Sequence, residues 1–241
     1  TERKQFVMYS NKQLQKKYIQ DYHWDVIHGS LAVGTRGDEM VKFVGAKIRP
    51  VYEAILLEAG KEEEVSKHQW EFNVLVRDFP DAYAIPGGKV MFYSALIPVC
   101  KNEDGIAFVM SHELGHVLAN HYCEGETNQQ LGEVAAFALL TVATQGDLDY
   151  YTTDFISASM VYTVRAAFNH KKEMEADRIG VILMAKAGYD PASAVEYLDR
   201  YDSLMNYMYL IEPNRKDSIR RAELINTYIP EAHKYYNEYV Q

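Results

Sequence analysis

The spacing of apolar positions changes period along the 241-residue chain. Between Asp38 and Leu57, Val41, Val44, Ile48, Val51 and Ile55 recur at helical spacing. Gly60 and the charged run Lys61-Glu62-Glu63-Glu64 close that helix. Trp70, Phe72, Val74 and Val76 then alternate with Glu71, Asn73 and Leu75, which is the period of a strand. After a turn at Asp78 to Pro80, Tyr83 to Ile85 reads as a second strand. Pro86-Gly87-Gly88 turns the chain again, and Val90 to Tyr93 reads as a third. The three strands predict a small antiparallel meander. From Gly105 onward the pattern is helical: Gly105 to Tyr122, the very apolar Leu131 to Thr144, a long helix from Thr153 to Ala187, then Ala192 to Leu210 and Asp217 to Tyr228. A tail helix is expected after Pro230. The pattern predicts an α+β, mainly helical fold. Residues 1–69 are expected to form an N-terminal helical segment packed on a domain spanning 70–241.

Composition narrows the classes. Hydrophobic residues make up 48% and charged residues 24%, as in a globular protein with a core. The net charge of −9 argues against nucleic acid as a partner, since that calls for a basic face, and gives no general attraction to anionic lipid. Cys100 and Cys123 read as small buried residues rather than a disulfide framework. The longest apolar run, Val134 to Ala143, is about half the ~18 residues of a membrane span. The sequence opens on Thr1 rather than Met, so an upstream signal, transit or anchor segment is expected to be missing.

The chemistry concentrates in His112-Glu113-Leu114-Gly115-His116. Positions i and i+4 share a helix face, so both imidazoles can bind one zinc ion with Glu113 beside it as a base. Ile106, Ala107, Val109 and Met110 bury the preceding turns. Such a pair can also be two satisfied core histidines. Gly115 in mid-helix suggests the close approach of another segment. A catalytic zinc needs a third protein ligand. Glu173-Met174-Glu175-Ala176-Asp177 offers Glu173 for the metal and Asp177, one turn on, to orient a ligating histidine. Glu175 falls on another face and reads as a solvated position. His121, on the same expected helix as His112, reads as a polar support behind the ligands, with a spare ligand as the alternative. Tyrosine is abundant, at 19 residues, and many lie in the C-terminal third (Tyr197, Tyr201, Tyr207, Tyr209, Tyr235, Tyr236, Tyr239), as at interfaces or in a helical core with wet tips.

His-Glu-Leu-Gly-His followed by Glu-x-x-x-Asp resembles metallopeptidase family M48, which groups the mitochondrial OMA-type protease, bacterial HtpX and BepA, and the CAAX prenyl endopeptidase. Asp81 to Val90 is similar to the strand and turn of the OMA-type branch. Leu96 to Cys100 and Asn102 to Ala107 resemble its link into the zinc helix. Glu173 to Gly180 and Met184 to Pro191 fit as well, so the resemblance covers roughly Trp70 to Glu231. It implies a gluzincin-type domain over 70–241 with one Zn2+ per chain on His112, His116 and Glu173. It also implies cleavage of membrane-associated or misfolded proteins, at the mitochondrial inner membrane or, alternatively, in the bacterial periplasm or on a membrane anchor. Ala82, Tyr83, Ala84 and Ile85 are the expected substrate strand. Three positions depart from the family pattern. Asn169-His170 replaces Ser-Arg, Glu212-Pro213 replaces His-Pro, and Ser218-Ile219 replaces Arg-Ile. His170 and Arg220 are the expected substitutes for transition-state stabilisation. These departures leave a second reading, a zinc-binding but weakly active or inactive subunit of a larger membrane-associated complex. Residues 131–144 and the tyrosine-rich C-terminal region would serve either membrane or complex.

Overall fold

The structure is a computed structural model that describes residues 5–144, 149, 152, 170–209 and 215–240. The chain opens with α1 (Asn11–His28), α2 (Arg36–Glu58) and the single turn α3 (Glu62–Val65). Three strands follow: β1 (Glu71–Leu75), β2 (Ala82–Ile85) and β3 (Lys89–Tyr93). The described residues beyond β3 are mainly helical: α4 (Ile97–Cys100), α5 (Glu103–Leu118), α6 (His121–Thr144), α7 (170–186), α8 (Ser193–Tyr209) and α9 (Arg215–Val240). Of the expected long helix only α7 can be placed; Val161, Val164, Phe168 and Asn169 lie outside the described residues, as do Glu212 and Pro213.

Local chemistry sets the helix starts. Ser10 and Gln13 form a reciprocal capping box at α1, Thr35 accepts from the Asp38 amide at α2, and Asn102 accepts from the Gly105 amide at α5. The α2 pattern holds, with Val41, Val44 and Ile48 buried on one stripe. Two expected boundaries move. The helix begun at Glu103 stops at Leu118, because Asn120 turns left-handed at φ 55, and a new helix starts at His121. At the other end, α9 runs through Pro230 instead of restarting after it. Ile225 and Ala232 are fully buried on either side of the proline and hold both halves on the core.

The α+β class is as expected, but the sheet is mixed rather than wholly antiparallel. Its order is β1-β3-β2: β2 pairs antiparallel with β3, and β1 pairs parallel with β3. Gly87 (φ 99) and Gly88 (φ 87) make the tight β2–β3 hairpin, and β1 adds to the other edge of β3 rather than to β2, where a meander would place it. An isolated bridge at Leu31 covers the far edge of β1, which leaves β2 as the open strand edge. One main core joins α2, the sheet, α5, α7, α8 and α9 through Val44, Phe92, Met110, Leu183, Leu198 and Ile225. A second cluster of Tyr22, Leu75, Ile85 and Met91 seats α1 on the other sheet face. Cys100 and Cys123 are buried and unpaired. Among the described residues no helix is long and apolar enough to cross a membrane.

Candidate active site

α5 and α7 meet backbone to backbone. A Cβ on Gly115 would lie 3.0 Å from the Ala176 carbonyl oxygen, and one on Gly180 would lie 2.9 Å from the His112 amide nitrogen. This contact accounts for a mid-helix glycine that costs about 1 kcal/mol against Ala. It also brings the turns that carry His112, His116 and Glu173 face to face.

His112 and His116 of α5 converge with Glu173 of α7. The two Nε2 atoms are 3.1 Å apart. Glu173 Oε2 lies 3.3 Å from His112 Nε2, and its Oε1 lies 3.4 Å from His116 Nε2. Donors about 2.0–2.1 Å from zinc in a tetrahedral shell are about 3.3 Å from one another. Each imidazole thus has the other imidazole and one Glu173 oxygen at about that spacing, and one donor atom from each of the three residues lies within 4.8 Å of the others, close enough for a single ion. Among the described residues this is the one cluster of histidine, cysteine and carboxylate groups close enough to hold a metal. The donor set and its dimensions fit zinc.

The surroundings tune these donors. His112 Nδ1 lies 2.9 Å from Asp177 Oδ1, an ionic contact rather than a straight hydrogen bond. Burial alone would lower the His112 pKa, but the Asp177 and Glu173 carboxylates outweigh it and raise it. Burial, then the charge of His112, pushes His116 down to about 3. Burial would raise Glu173, yet its hydrogen bond to His112 and the nearby positive charges hold it well below the usual carboxylate range. Burial lifts Glu113 to about 8, with His112 opposing and Glu173 adding to the rise.

A cation from α9 completes the cluster. Arg221 donates through Nε and Nη2 to both oxygens of Asp177, at 2.7 and 2.8 Å, and its Nη1 lies 3.4 Å from Glu173 Oε2. This corrects the expectation for Arg220, which is exposed and absent from the cleft. The helix period decides it. Arg221 shares the inward face with Ile225 one turn on, and Arg220 points away. His170 likewise does not line the cleft. His121 sits behind the ligands, at the start of α6 rather than on α5. Its Nδ1 is 2.8 Å from His116 Nδ1 and its Nε2 is 3.1 Å from Glu175 Oε2. Glu175 is thus a partner of His121 and not a solvated position.

The donors open into a cleft of about 530 Å³ whose lining includes Glu113, Ala82, Tyr83, Tyr122, Tyr201 and Arg221. The first half of the expected substrate strand borders it, while Ala84 and Ile85 run into the core. Glu113, three side chains that could hold a metal ion and an open strand edge share one groove, a layout suited to metal-assisted hydrolysis of an extended chain.

Comparison with known proteins agrees. The chain is 30% identical over 172 residues to mitochondrial metalloendopeptidase OMA1 of Schizosaccharomyces pombe, covering 70% of this chain and 49% of that protein. It is 28% identical to OMA1 of Saccharomyces cerevisiae over 207 residues, 80% of this chain and 58% of that protein. The beta-barrel assembly-enhancing protease of Escherichia coli is 28% identical over 141 residues, 56% of this chain and 28% of that protein. The chain thus spans about half the length of the OMA1 relatives it matches. The pattern of Peptidase family M48 matches residues 47–234, which include every donor in the cleft, and the chain belongs to that family.

Proposed function

We propose that this chain is a zinc-dependent metalloendopeptidase domain that cleaves membrane-associated or misfolded proteins. The observation that carries the reading is the convergence of His112, His116 and Glu173, with nitrogen–nitrogen and nitrogen–oxygen contacts of 3.1–3.4 Å, beside Glu113 in one cleft. In this reading those three residues hold one zinc ion per chain. Zinc there would supply Lewis acidity toward water and the scissile carbonyl. Glu113 takes a proton from the attacking water and delivers it to the leaving amine nitrogen. Its raised pKa favours the protonated form, and a cation at the neighbouring donors favours the carboxylate needed to start the cycle. The substrate backbone adds to the open edge of β2, where Ala82 and Tyr83 border the cleft. Arg221 keeps Asp177 ionised and oriented toward His112.

The test is turnover of an unfolded protein substrate by zinc-loaded wild type and Glu113→Gln. Gln keeps the shape but accepts no proton, so the rate should fall at least ~10²–10⁴-fold with zinc retained. Equal rates would remove the enzyme reading and leave that of a zinc-binding subunit in a larger complex.

The setting we propose is the mitochondrion, at the inner membrane. Relatives named mitochondrial metalloendopeptidases support it, and the bacterial relatives make the periplasm the alternative. Fractionation of the source cells checks it. We assign the contact with membrane or complex to α6, because Val134 is 70% and Val142 is 77% exposed, with Phe137 and Leu139 also open. Val134→Ser with Val142→Ser should reduce co-sedimentation with neutral liposomes, or with the complex, and leave peptide turnover intact. Unchanged co-sedimentation in both assays would overturn this assignment.

A further inference from the structure

α5 ends at Leu118, and Asn120 adopts the left-handed conformation before α6 begins at His121. On an uninterrupted helix, five residues past His116 would place His121 about 140° around the axis. The turn folds it back instead. The rings of His116 and His121 lie 4.9 Å apart between centroids, with their Nδ1 atoms 2.8 Å apart. His121 Nε2 is 3.1 Å from Glu175 Oε2, which α7 supplies from the far side. His121 is buried and Glu175 is half-buried, so little water competes for these contacts.

Two ring nitrogens at 2.8 Å share one proton. Two bare nitrogens would repel, and two N–H groups would meet head to head. The carboxylate of Glu175 accepts only, so the proton of a neutral His121 sits on Nε2. That leaves His121 Nδ1 bare, and it accepts from His116 Nδ1–H. His116 then carries its lone pair on Nε2, the atom that faces His112 and Glu173.

We propose that Glu175, acting through His121, is a positioning residue that locks His116 in the tautomer its metal-facing nitrogen requires. The inference rests on the zinc reading above. Each ligating histidine then has its own carboxylate, Asp177 in direct contact with His112 and Glu175 relayed through an imidazole to His116. Such supporting carboxylates are commonly worth 10–100-fold in metal affinity.

The experiment is zinc competition against a chelator for wild type, Glu175→Ala and Glu175→Gln, with histidine nitrogen NMR of the zinc-loaded wild type. Glu175→Ala should weaken zinc binding ~10–100-fold. Glu175→Gln keeps an acceptor oxygen for His121 Nε2–H and should recover part of that loss. The wild-type spectrum should show His121 protonated on Nε2 alone. A His121 protonated on Nδ1 overturns the inference, and this spectrum decides even if the Ala variant fails to fold. Unchanged affinity in a folded Glu175→Ala also overturns it. A wild-type protein that takes up no zinc removes the zinc reading itself, and this inference with it.

Discussion

Two imidazole nitrogens 3.1 Å apart, each within 3.4 Å of a Glu173 carboxylate oxygen, crowd lone pairs that repel unless a positive charge sits among them. Without metal, that charge is the proton that Asp177 and Glu173 hold on His112. Zinc uptake must expel it, so proton and metal compete for one place. The His112 pKa is raised above its ordinary 6.5, so the competing proton persists through neutral pH. Apparent zinc affinity should therefore keep rising with pH from about 7 to about 9 instead of levelling off where an ordinary imidazole has lost its proton. Calorimetry in buffers of different ionisation enthalpy should record proton release at pH 7; an affinity flat across that range would contradict the account. The donors were legible in the sequence because i, i+4 spacing is a local rule, and it applies equally to His112/His116 and Glu173/Asp177. Arg221 and Glu175 were not, because each answers to a residue on another element. Only the helical phase of Ile225 hinted at Arg221.

At the scale of elements, the site depends on how closely α5 and α7 can approach. An extra methyl on Gly180 would press on the His112 backbone, which cannot swing aside as a side-chain tip can. Gly180→Ala should move α7, draw Glu173 away from the histidines and destabilise the protein by about 1–3 kcal/mol. A control lies at Gly125 in α6, where, among the described residues, the nearest atom to a new Cβ is the Lys172 Nζ at 3.6 Å. Gly125→Ala should be neutral or stabilising by up to about 1 kcal/mol. Thermal melting and zinc titration of the two variants check the pair, and equal melting temperatures would show that the helix contact is slack. Sequence pattern located the strands and the glycine turn between β2 and β3. The order β1-β3-β2 was hidden, because alternation gives a strand its faces and not its neighbours.

For the molecule as a whole, α9 is both a wall of the core and a part of the site. Ile225 and Ala232 hold it down, and Arg221 extends from it to an Asp177 side chain only 1% exposed. Removing the cation leaves that carboxylate buried and without its bidentate partner. Arg221→Ala should lower stability by about 3–5 kcal/mol and weaken zinc binding. Arg220→Ala, on the exposed face, should stay within about 0.5 kcal/mol of wild type. Denaturant unfolding of both compares them, and similar losses would return Arg220 to consideration. The helical body was legible because its apolar period is strong. The passage of α9 through Pro230 was not, because buried contacts on both sides overrule a local breaker. The position of Arg221 also carries a consequence in time. A chain emerging from the ribosome presents His112, His116 and Glu173 well before it presents the residue that steadies them. We expect the catalytic centre to mature only after α9 has been made and has docked, so that a nascent domain still lacking α9 stays harmless to its neighbours.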